Sequence, residues 1–204
     1  MAPPSAREVG IDVDAGRRVS GLLRMPAQAR CCYVLAHGAG AGMTHAFMAS
    51  AASELAERGI ATLRYQFPYM EQGGKRPDPP ALAHATVRAA VAAATRLAPG
   101  LPLIAGGKSF GGRMTSQAQA AEPLASIRGL AFLGFPLHPA KRPSDARAAH
   151  LADVQIPMLF LQGTRDALAD LTMLGPVVTA LGARATLHLI DGADHSFHVP
   201  ARTG

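Results

Sequence analysis

The sequence has no tryptophan, only two cysteines and 5% aromatic residues, and each shortage excludes a class of protein. Cys31 and Cys32 are adjacent, and neighbouring residues of a strand point to opposite faces, so they predict no disulfide framework. The net charge is +6, but the basic residues are scattered and few aromatics accompany them. The chain therefore lacks the basic arm and the stacking platform of a nucleic-acid-binding protein.

Long hydrophobic runs are also absent. The longest apolar stretches, such as Cys31 to Ala36, are far shorter than the roughly 18 residues that a membrane span needs. The N-terminal stretch Met1–Arg7 lacks the apolar core of a signal peptide. We therefore expect a cytoplasmic protein without a membrane segment.

The remaining composition is that of a globular protein. Hydrophobic residues make up 49% of the 204 residues and charged residues 17%, which excludes a disordered protein. A chain of this length favours one domain over residues 1–204.

Short apolar runs alternate with helical patterns after residue 25, which predicts an α/β fold with a mostly parallel sheet and crossover helices. Before them, two strands flank the turn signal Asp14-Ala15-Gly16 and predict an N-terminal hairpin. The predicted strands are 7–12, 19–24, 31–36, 60–67, 103–106, 127–133, 158–163 and 185–190. The predicted helices are 44–58, 81–98, 111–121 and a helix broken around Gly175-Pro176.

Two loops are predicted to rim an open pocket. Residues 68–80 contain four prolines and two glycines, which predicts a surface loop without regular structure. Residues 135–147 form a second loop rich in proline and basic residues. Neither is long enough for a large cap domain.

A nucleophile is indicated by Gly107-Lys108-Ser109-Phe110-Gly111, which matches the G-x-S-x-G pattern. The motif follows a short strand and opens a helical pattern, and such a tight turn needs small residues two positions before and after the serine. Ser109 is therefore the nucleophile candidate. The alternative is a phosphate-binding loop, but Pro102 stands where its first glycine is needed.

Backbone donors are indicated by the small residues of His37-Gly38-Ala39-Gly40-Ala41-Gly42, directly after a predicted strand. In the elbow mechanism, the amide after the nucleophile and an amide of this loop stabilise the oxyanion. Phe110 and Ala39 are the two candidates. His37 itself is expected to hold the loop by hydrogen bonds.

An acid and a base are expected after later strand ends, in the chain order serine, acid, histidine. Asp166 follows the strand 158–163 and is the acid candidate, with Asp170 as the alternative. His195 follows the last strand and is the base candidate, with His198 as the alternative.

Three further residues are expected to line the pocket: His45, His138 and Lys108. The eight histidines show neither H-x-x-x-H nor H-E-x-x-H spacing, and the cysteines are not at C-x-x-C spacing. We therefore expect no metal site.

These segments resemble the α/β-hydrolase superfamily, near its small dienelactone-hydrolase-like members. The resemblance is carried by four separated motifs, and Arg64-Tyr65-Gln66-Phe67-Pro68-Tyr69-Met70-Glu71 is similar to a segment of the testis-expressed/KANSL-like predicted hydrolases. The four motifs are His37-Gly38-Ala39-Gly40, Gly107 to Gly112, Gln162-Gly163-Thr164-Arg165-Asp166 and Gly192 to Phe197.

The resemblance implies an α/β-hydrolase fold, a triad of Ser109, Asp166 and His195, and no cofactor. Dienelactone hydrolases proper use a cysteine nucleophile, so their substrate is not carried over. Such folds usually end with a helix after the histidine loop, and here the sequence stops nine residues after His195. We expect no such helix here and an exposed apolar patch that would favour a homodimer.

The predicted activity is hydrolysis of a small-molecule carboxylic ester or thioester through an acyl-serine intermediate. Two alternatives stay open. The first is a catalytically silent scaffold or interaction protein of the same fold. The second is another acyl-transfer reaction at the same site, such as peptidase or perhydrolase activity.

Overall fold

A single eight-stranded sheet forms the centre of the computed structural model, which describes residues 5–200. The strands are β1 Arg7–Asp14, β2 Arg17–Arg24, β3 Cys31–Ala36, β4 Ile60–Tyr65, β5 Leu103–Lys108, β6 Ile127–Leu133, β7 Met158–Gly163 and β8 Ala185–Ile190. Their spatial order is β1-β2-β4-β3-β5-β6-β7-β8. β2 is antiparallel to β1 and to β4, and all other neighbours are parallel.

Helices cover both faces of the sheet. They are α1 Ala46–Glu57, α2 Pro68–Glu71, α3 Pro80–Leu97, α4 Phe110–Ala121 and α5 Leu171–Ala180, with 3₁₀ segments at Ala146–Asp153 and Gly182–Arg184. On one face, Met48 of α1 packs with Tyr33 and Leu35 of β3. The larger core lies on the other face, beneath α3, α4 and α5, and includes the fully buried Phe132 and Phe160. The central strands are therefore buried on both faces, as their unbroken apolar runs predict.

The predicted α/β architecture is confirmed, including the mostly parallel sheet and the N-terminal hairpin. Within residues 5–200 no large cap domain is inserted between the strands. The part of the chain that the structure describes holds no helix of the length and apolarity needed to cross a membrane. The leader-peptide prediction concerns Met1–Arg7, of which residues 1–4 lie outside the described residues.

Three local predictions were wrong. Residues 68–71 form the short helix α2 inside a segment predicted to be irregular, because Pro68 occupies the first helical position, where proline is already shaped for the helix. α5 runs through Pro176 without a break, since a proline removes only its own backbone N–H donor from the ten-residue helix. α1 begins at Ala46 rather than at the predicted residue 44, because His45 caps it: its Nδ1 accepts from the Phe47 backbone N–H at 3.3 Å.

The face of the sheet that α1 covers also carries an open apolar groove of about 420 Å³, which lies beside α1. Leu133, Leu161 and Ile190 are among the side chains that line it. Leu159 and Leu189 are also exposed, so the described residues do leave apolar surface beside the last strands, as predicted. Association of two copies through this surface stays a prediction.

The parallel strands place the segments that carry chemistry at one edge of the sheet. β3, β5, β7 and β8 all run in the same direction, so their carboxyl ends meet there. In open α/β sheets this edge is where ligands bind. The loop after β3, the β5–α4 turn and the loops after β7 and β8 therefore converge on one site.

Candidate active site

Ser109 occupies a strained turn between β5 and α4. Its φ of 49° and ψ of −116° are rarely adopted by a residue with a side chain. The turn needs glycine on both sides. A Cβ at Gly107 would lie 2.2 Å from the Ala36 carbonyl oxygen, and one at Gly111 would lie 2.4 Å from the His37 carbonyl oxygen. This crowding is the physical reason for the glycine spacing, and it presents the Ser109 hydroxyl at the sheet edge.

The structure brings Ser109, His195 and Asp166 into one hydrogen-bonded chain. His195 Nε2 lies 2.8 Å from Ser109 Oγ, and His195 Nδ1 lies 2.7 Å from Asp166 Oδ2. Because the carboxylate can only accept, Nδ1 carries the ring proton and Nε2 of the neutral ring accepts from the serine hydroxyl. The three residues come from the ends of β5, β7 and β8.

Asp166 is buried but fully hydrogen-bonded. Gln162 Nε2 donates to its Oδ2 at 2.6 Å, and the Leu168 backbone N–H donates to its Oδ1 at 2.8 Å. Gly134 lies beside the pair with a φ of 70°, a backbone conformation that favours glycine. These donors orient the carboxylate toward the imidazole. Sequence reasoning missed Gln162, although it stands in the quoted motif Gln162 to Asp166.

The loop that carries His195 is held from two sides. Asp194 Oδ1 accepts from the backbone N–H groups of Ser196 at 2.8 Å and His198 at 3.0 Å. From the other side, Lys108 Nζ donates to the His195 carbonyl oxygen. Burial lowers the pKa of Lys108 to about 8, against the opposing effect of the Asp166 and Asp194 carboxylates. Lys108 therefore lies at the site and ties the nucleophile turn to the histidine loop.

A cavity of about 240 Å³ opens onto Ser109 and His195. His45 and Lys108 line it, together with Phe47 and Met48. His138 does not. Its ring is buried, Nδ1 lies 2.9 Å from the Pro139 carbonyl oxygen, and Nε2 accepts from the Asp170 backbone N–H at 2.9 Å. His138 thus ties the loop after β6 to the start of α5, and its predicted place in the pocket was wrong.

Backbone donors face the same cavity from the loop after β3. Gly38 and Ala39 line it, and Phe110 is the first residue of α4. Within residues 5–200, no protein group accepts a hydrogen bond from the N–H of Ala39 or of Phe110. The first N–H groups of a helix have no partner inside it and form the partial positive end of its dipole. Within the described residues, the fold itself uses neither amide, and Ala39 lies in the wall of the cavity.

His37 holds this loop and does not titrate near neutral pH. Phe67 N–H donates to its Nε2 at 3.0 Å, so its Nδ1–H donates to the Gly38 carbonyl oxygen at 2.8 Å. Burial lowers the pKa of His37 to about 4, which keeps the ring neutral. This is the hydrogen-bonding role that the sequence predicts.

The alternative acid and base lie elsewhere. Asp170 caps α5, with Oδ1 accepting from the Thr172 backbone N–H at 2.8 Å and its hydroxyl at 2.7 Å. His198 is exposed, and its backbone N–H bonds Asp194. Among residues 5–200, no group of three or more histidine, cysteine, aspartate or glutamate side chains is placed to hold a metal ion.

A second serine–histidine contact lies behind α4. Ser116 Oγ is 2.7 Å from His150 Nε2 and 2.9 Å from the Arg113 carbonyl oxygen. Within the described residues, no carboxylate bonds to His150. Ser116 is fully buried inside a regular helix, so its hydroxyl does not face a substrate cavity. The pair joins α4 to the 3₁₀ segment Ala146–Asp153.

Comparison with known proteins places this site in a family. The family model described as alpha/beta hydrolase domain matches residues 29–204. Similar solved structures include a dienelactone hydrolase of Anabaena variabilis, with a TM-score of 0.80 and 23% identity over 97% of this chain and 91% of that chain.

Two further structures have the same fold. A Xanthomonas campestris protein described as an α/β serine hydrolase without a lid has a TM-score of 0.74 and 21% identity over 96% of this chain and 88% of its own. Est1E of Butyrivibrio proteoclasticus with bound ferulic acid has a TM-score of 0.75 and 18% identity over 93% of this chain and 91% of its own. At these identities the likeness shows the fold, which is that of the α/β hydrolases. The chain belongs to the alpha/beta hydrolase family.

Proposed function

We propose that this protein is a serine hydrolase that cleaves a small carboxylic ester or thioester through an acyl-enzyme on Ser109. The observation that carries the proposal is the continuous hydrogen-bonded chain from Ser109 Oγ through the His195 ring to the Asp166 carboxylate. A serine hydroxyl is a weak nucleophile by itself, and this arrangement supplies the base and the group that orients it.

In acylation, His195 Nε2 takes the Ser109 hydroxyl proton while Oγ attacks the substrate carbonyl carbon. The carbonyl π electrons move to oxygen, and the N–H groups of Ala39 and Phe110 stabilise that oxyanion. Collapse of the intermediate re-forms the carbonyl and breaks the bond to the alcohol or thiol, which leaves with the proton from His195.

In deacylation, water takes the place of the Ser109 hydroxyl as the nucleophile. His195 takes a proton from water, the resulting hydroxide oxygen attacks the acyl carbon, and Ser109 Oγ leaves with the proton from the imidazolium. Asp166 stays ionised throughout and stabilises the imidazolium. Its buried hydrogen bonds to Gln162 and Leu168 support this role.

The cavity bears on the substrate class. Its volume of about 240 Å³ is below the roughly 300–1,000 Å³ of sites for drug-sized ligands. Phe47, Met48 and small loop residues form most of its wall. These features favour esters with a short acyl group. Ferulic acid is bound to Est1E, and the open fold shared with that protein is compatible with a small-molecule ester here.

Labelling with a fluorophosphonate tests the proposal. We expect the wild-type protein to form one adduct, mapped by peptide mass spectrometry to Ser109. Ser109→Ala and His195→Ala should abolish the adduct. Ser116→Ala is the matched control, because it removes the other histidine-bonded serine and should label like the wild type. A folded wild-type protein that never labels would refute the hydrolase and favour the scaffold alternative.

A further inference from the structure

The segment Arg64-Tyr65-Gln66-Phe67, at the end of β4, contacts the loop that carries Ala39 at three points. Arg64 Nη1 donates to the Met43 carbonyl oxygen at 2.8 Å. Gln66 Oε1 accepts from the Met43 backbone N–H at 2.8 Å. Phe67 N–H bonds His37 Nε2 at 3.0 Å. The segment 37–43 is thus anchored at its first residue and at both backbone groups of its last one.

The loop is shaped to admit the Gln66 amide. A Cβ at Gly42 would lie 2.8 Å from Gln66 Oε1 and 2.9 Å from Gln66 Nε2. Real Cβ atoms essentially never come that close to another heavy atom, so any side chain at position 42 would displace the amide. Gly42 and Gln66 therefore form one contact, in which the missing side chain permits the hydrogen bond to Met43.

Burying the Arg64 guanidinium is energetically costly, and its hydrogen bond to Met43 indicates its role in the structure. The residue is 3% exposed, and within residues 5–200 no carboxylate lies within ion-pair distance of it. Its Nε has no hydrogen-bond partner. A buried, unpaired cation is unfavourable, and an apolar residue would fill a strand interior better. Proteins break such rules mainly at functional sites, and here the guanidinium holds a loop of the candidate site.

We propose that Arg64 and Gln66 are positioning residues that hold the Ala39 amide where the oxyanion forms. The inference rests on the proposed function. Ala39 lies between the anchors at His37 and Met43, and it has no side chain long enough to fix its own peptide. Preorganised donors stabilise a transition state only if their positions are fixed before the reaction, so the anchors at Met43 act through the amide of Ala39.

Gln66→Met removes the acceptor and keeps the volume. We expect kcat for a p-nitrophenyl ester to fall on the order of 10- to 100-fold with KM unchanged, less than the ~10²–10³ lost with a whole oxyanion donor. A trifluoromethyl ketone, which mimics the tetrahedral intermediate, should bind more weakly by a similar factor. Hydrogen exchange should speed up in residues 38–45. Gln66→Glu keeps an acceptor oxygen and should restore most of the activity.

Gln119→Met is the matched control. Gln119 is a buried glutamine whose Oε1 likewise accepts from a loop backbone N–H, that of Leu124 at 2.9 Å, at the far end of α4. It should lower the melting temperature without weakening binding of the ketone. If Gln66→Met does not fold, Gly42→Ala displaces the same amide and takes its place.

Three outcomes would overturn the proposal. Undiminished kcat in Gln66→Met would do so, even with faster exchange in the loop. Equal losses of kcat in Gln66→Met and Gln119→Met would show that the loss comes from lower stability and not from the position of the Ala39 amide. A folded wild-type protein that no fluorophosphonate labels would refute the proposed function first and this inference with it, and that result is read from the wild type alone.

Discussion

Two serine–histidine pairs form short hydrogen bonds within residues 5–200, and the surroundings of the two pairs differ. Ser109 and His195 are 2.8 Å apart, and Ser116 and His150 are 2.7 Å apart. Only the first pair has a carboxylate on the far ring nitrogen, a strained nucleophile turn and a cavity. The second lies between a regular helix and a 3₁₀ segment.

The contrast teaches that a short Ser–His contact does not by itself make a nucleophile. Within residues 5–200, no carboxylate is hydrogen-bonded to His150, and burial with the nearby Arg113 charge lowers its pKa to about 4. A base must hold the serine proton during the reaction, and His150 is poorly suited to do so. His195 has the Asp166 carboxylate on its other nitrogen for that purpose.

The largest expected effect comes from breaking the acid–histidine bond. Asp166→Asn should lower kcat by about 10⁴-fold, because an amide at this position favours the wrong tautomer of His195. Steady-state hydrolysis of a p-nitrophenyl ester measures it. Asp153→Asn is the control at the other pair, since Asp153 is an exposed carboxylate whose charge acts on His150. It should leave kcat unchanged, and equal losses in the two variants would abolish the distinction between the pairs.

A smaller expected effect concerns the Ser116–His150 pair, which should make the free energy of unfolding depend on pH in the acid range. The pKa of His150 is about 4 in the folded protein, against an ordinary 6.5, so the unfolded chain binds more protons between these values. The stability that neutral His150 contributes is therefore complete above about pH 6.5 and is lost as the pH falls toward 4. His37 behaves alike and contributes in every variant.

His150→Asn isolates this contribution. Its melting temperature should fall less than that of the wild type between pH 7 and pH 5, by about 2–4 °C for each kcal/mol of linkage removed. Differential scanning calorimetry at the two pH values measures the difference. Identical shifts in wild type and variant would show that His150 titrates alike in the folded and unfolded chain.

The sheet and the spacing of the site residues were predictable because they follow local rules. Ile127–Leu133 and Met158–Gly163 have the predicted bounds, since short and largely apolar runs that alternate with helical patterns are typical of strands in a parallel sheet. The glycines around Ser109 predict a crowded turn. Asp166 and His195 follow strand ends in the expected chain order. These features need only the local sequence and the rule that parallel strands end at one edge.

The supporting contacts were not predictable, because they depend on which strands become neighbours. Arg64 reads as a strand residue, and its bond to Met43 exists only because β3 and β4 pair in register. In the sequence, Gln162 reads as a residue near the end of a buried strand. Its hydrogen bond to the Asp166 carboxylate depends on how the chain turns after that strand. His138 shows the converse, since a histidine in a loop at the site edge predicts a pocket residue, whereas its ring accepts from Asp170 at the start of α5.

The most direct test of the account is to trap the covalent intermediate itself. The enzyme is mixed with p-nitrophenyl acetate, quenched in acid during turnover and mapped by peptide mass spectrometry. We predict an acetyl group on Ser109, present in the Ser116→Ala variant and absent from Ser109→Ala. Sustained turnover by the wild type with no acetyl group on Ser109, or with the group on another residue, would contradict the account.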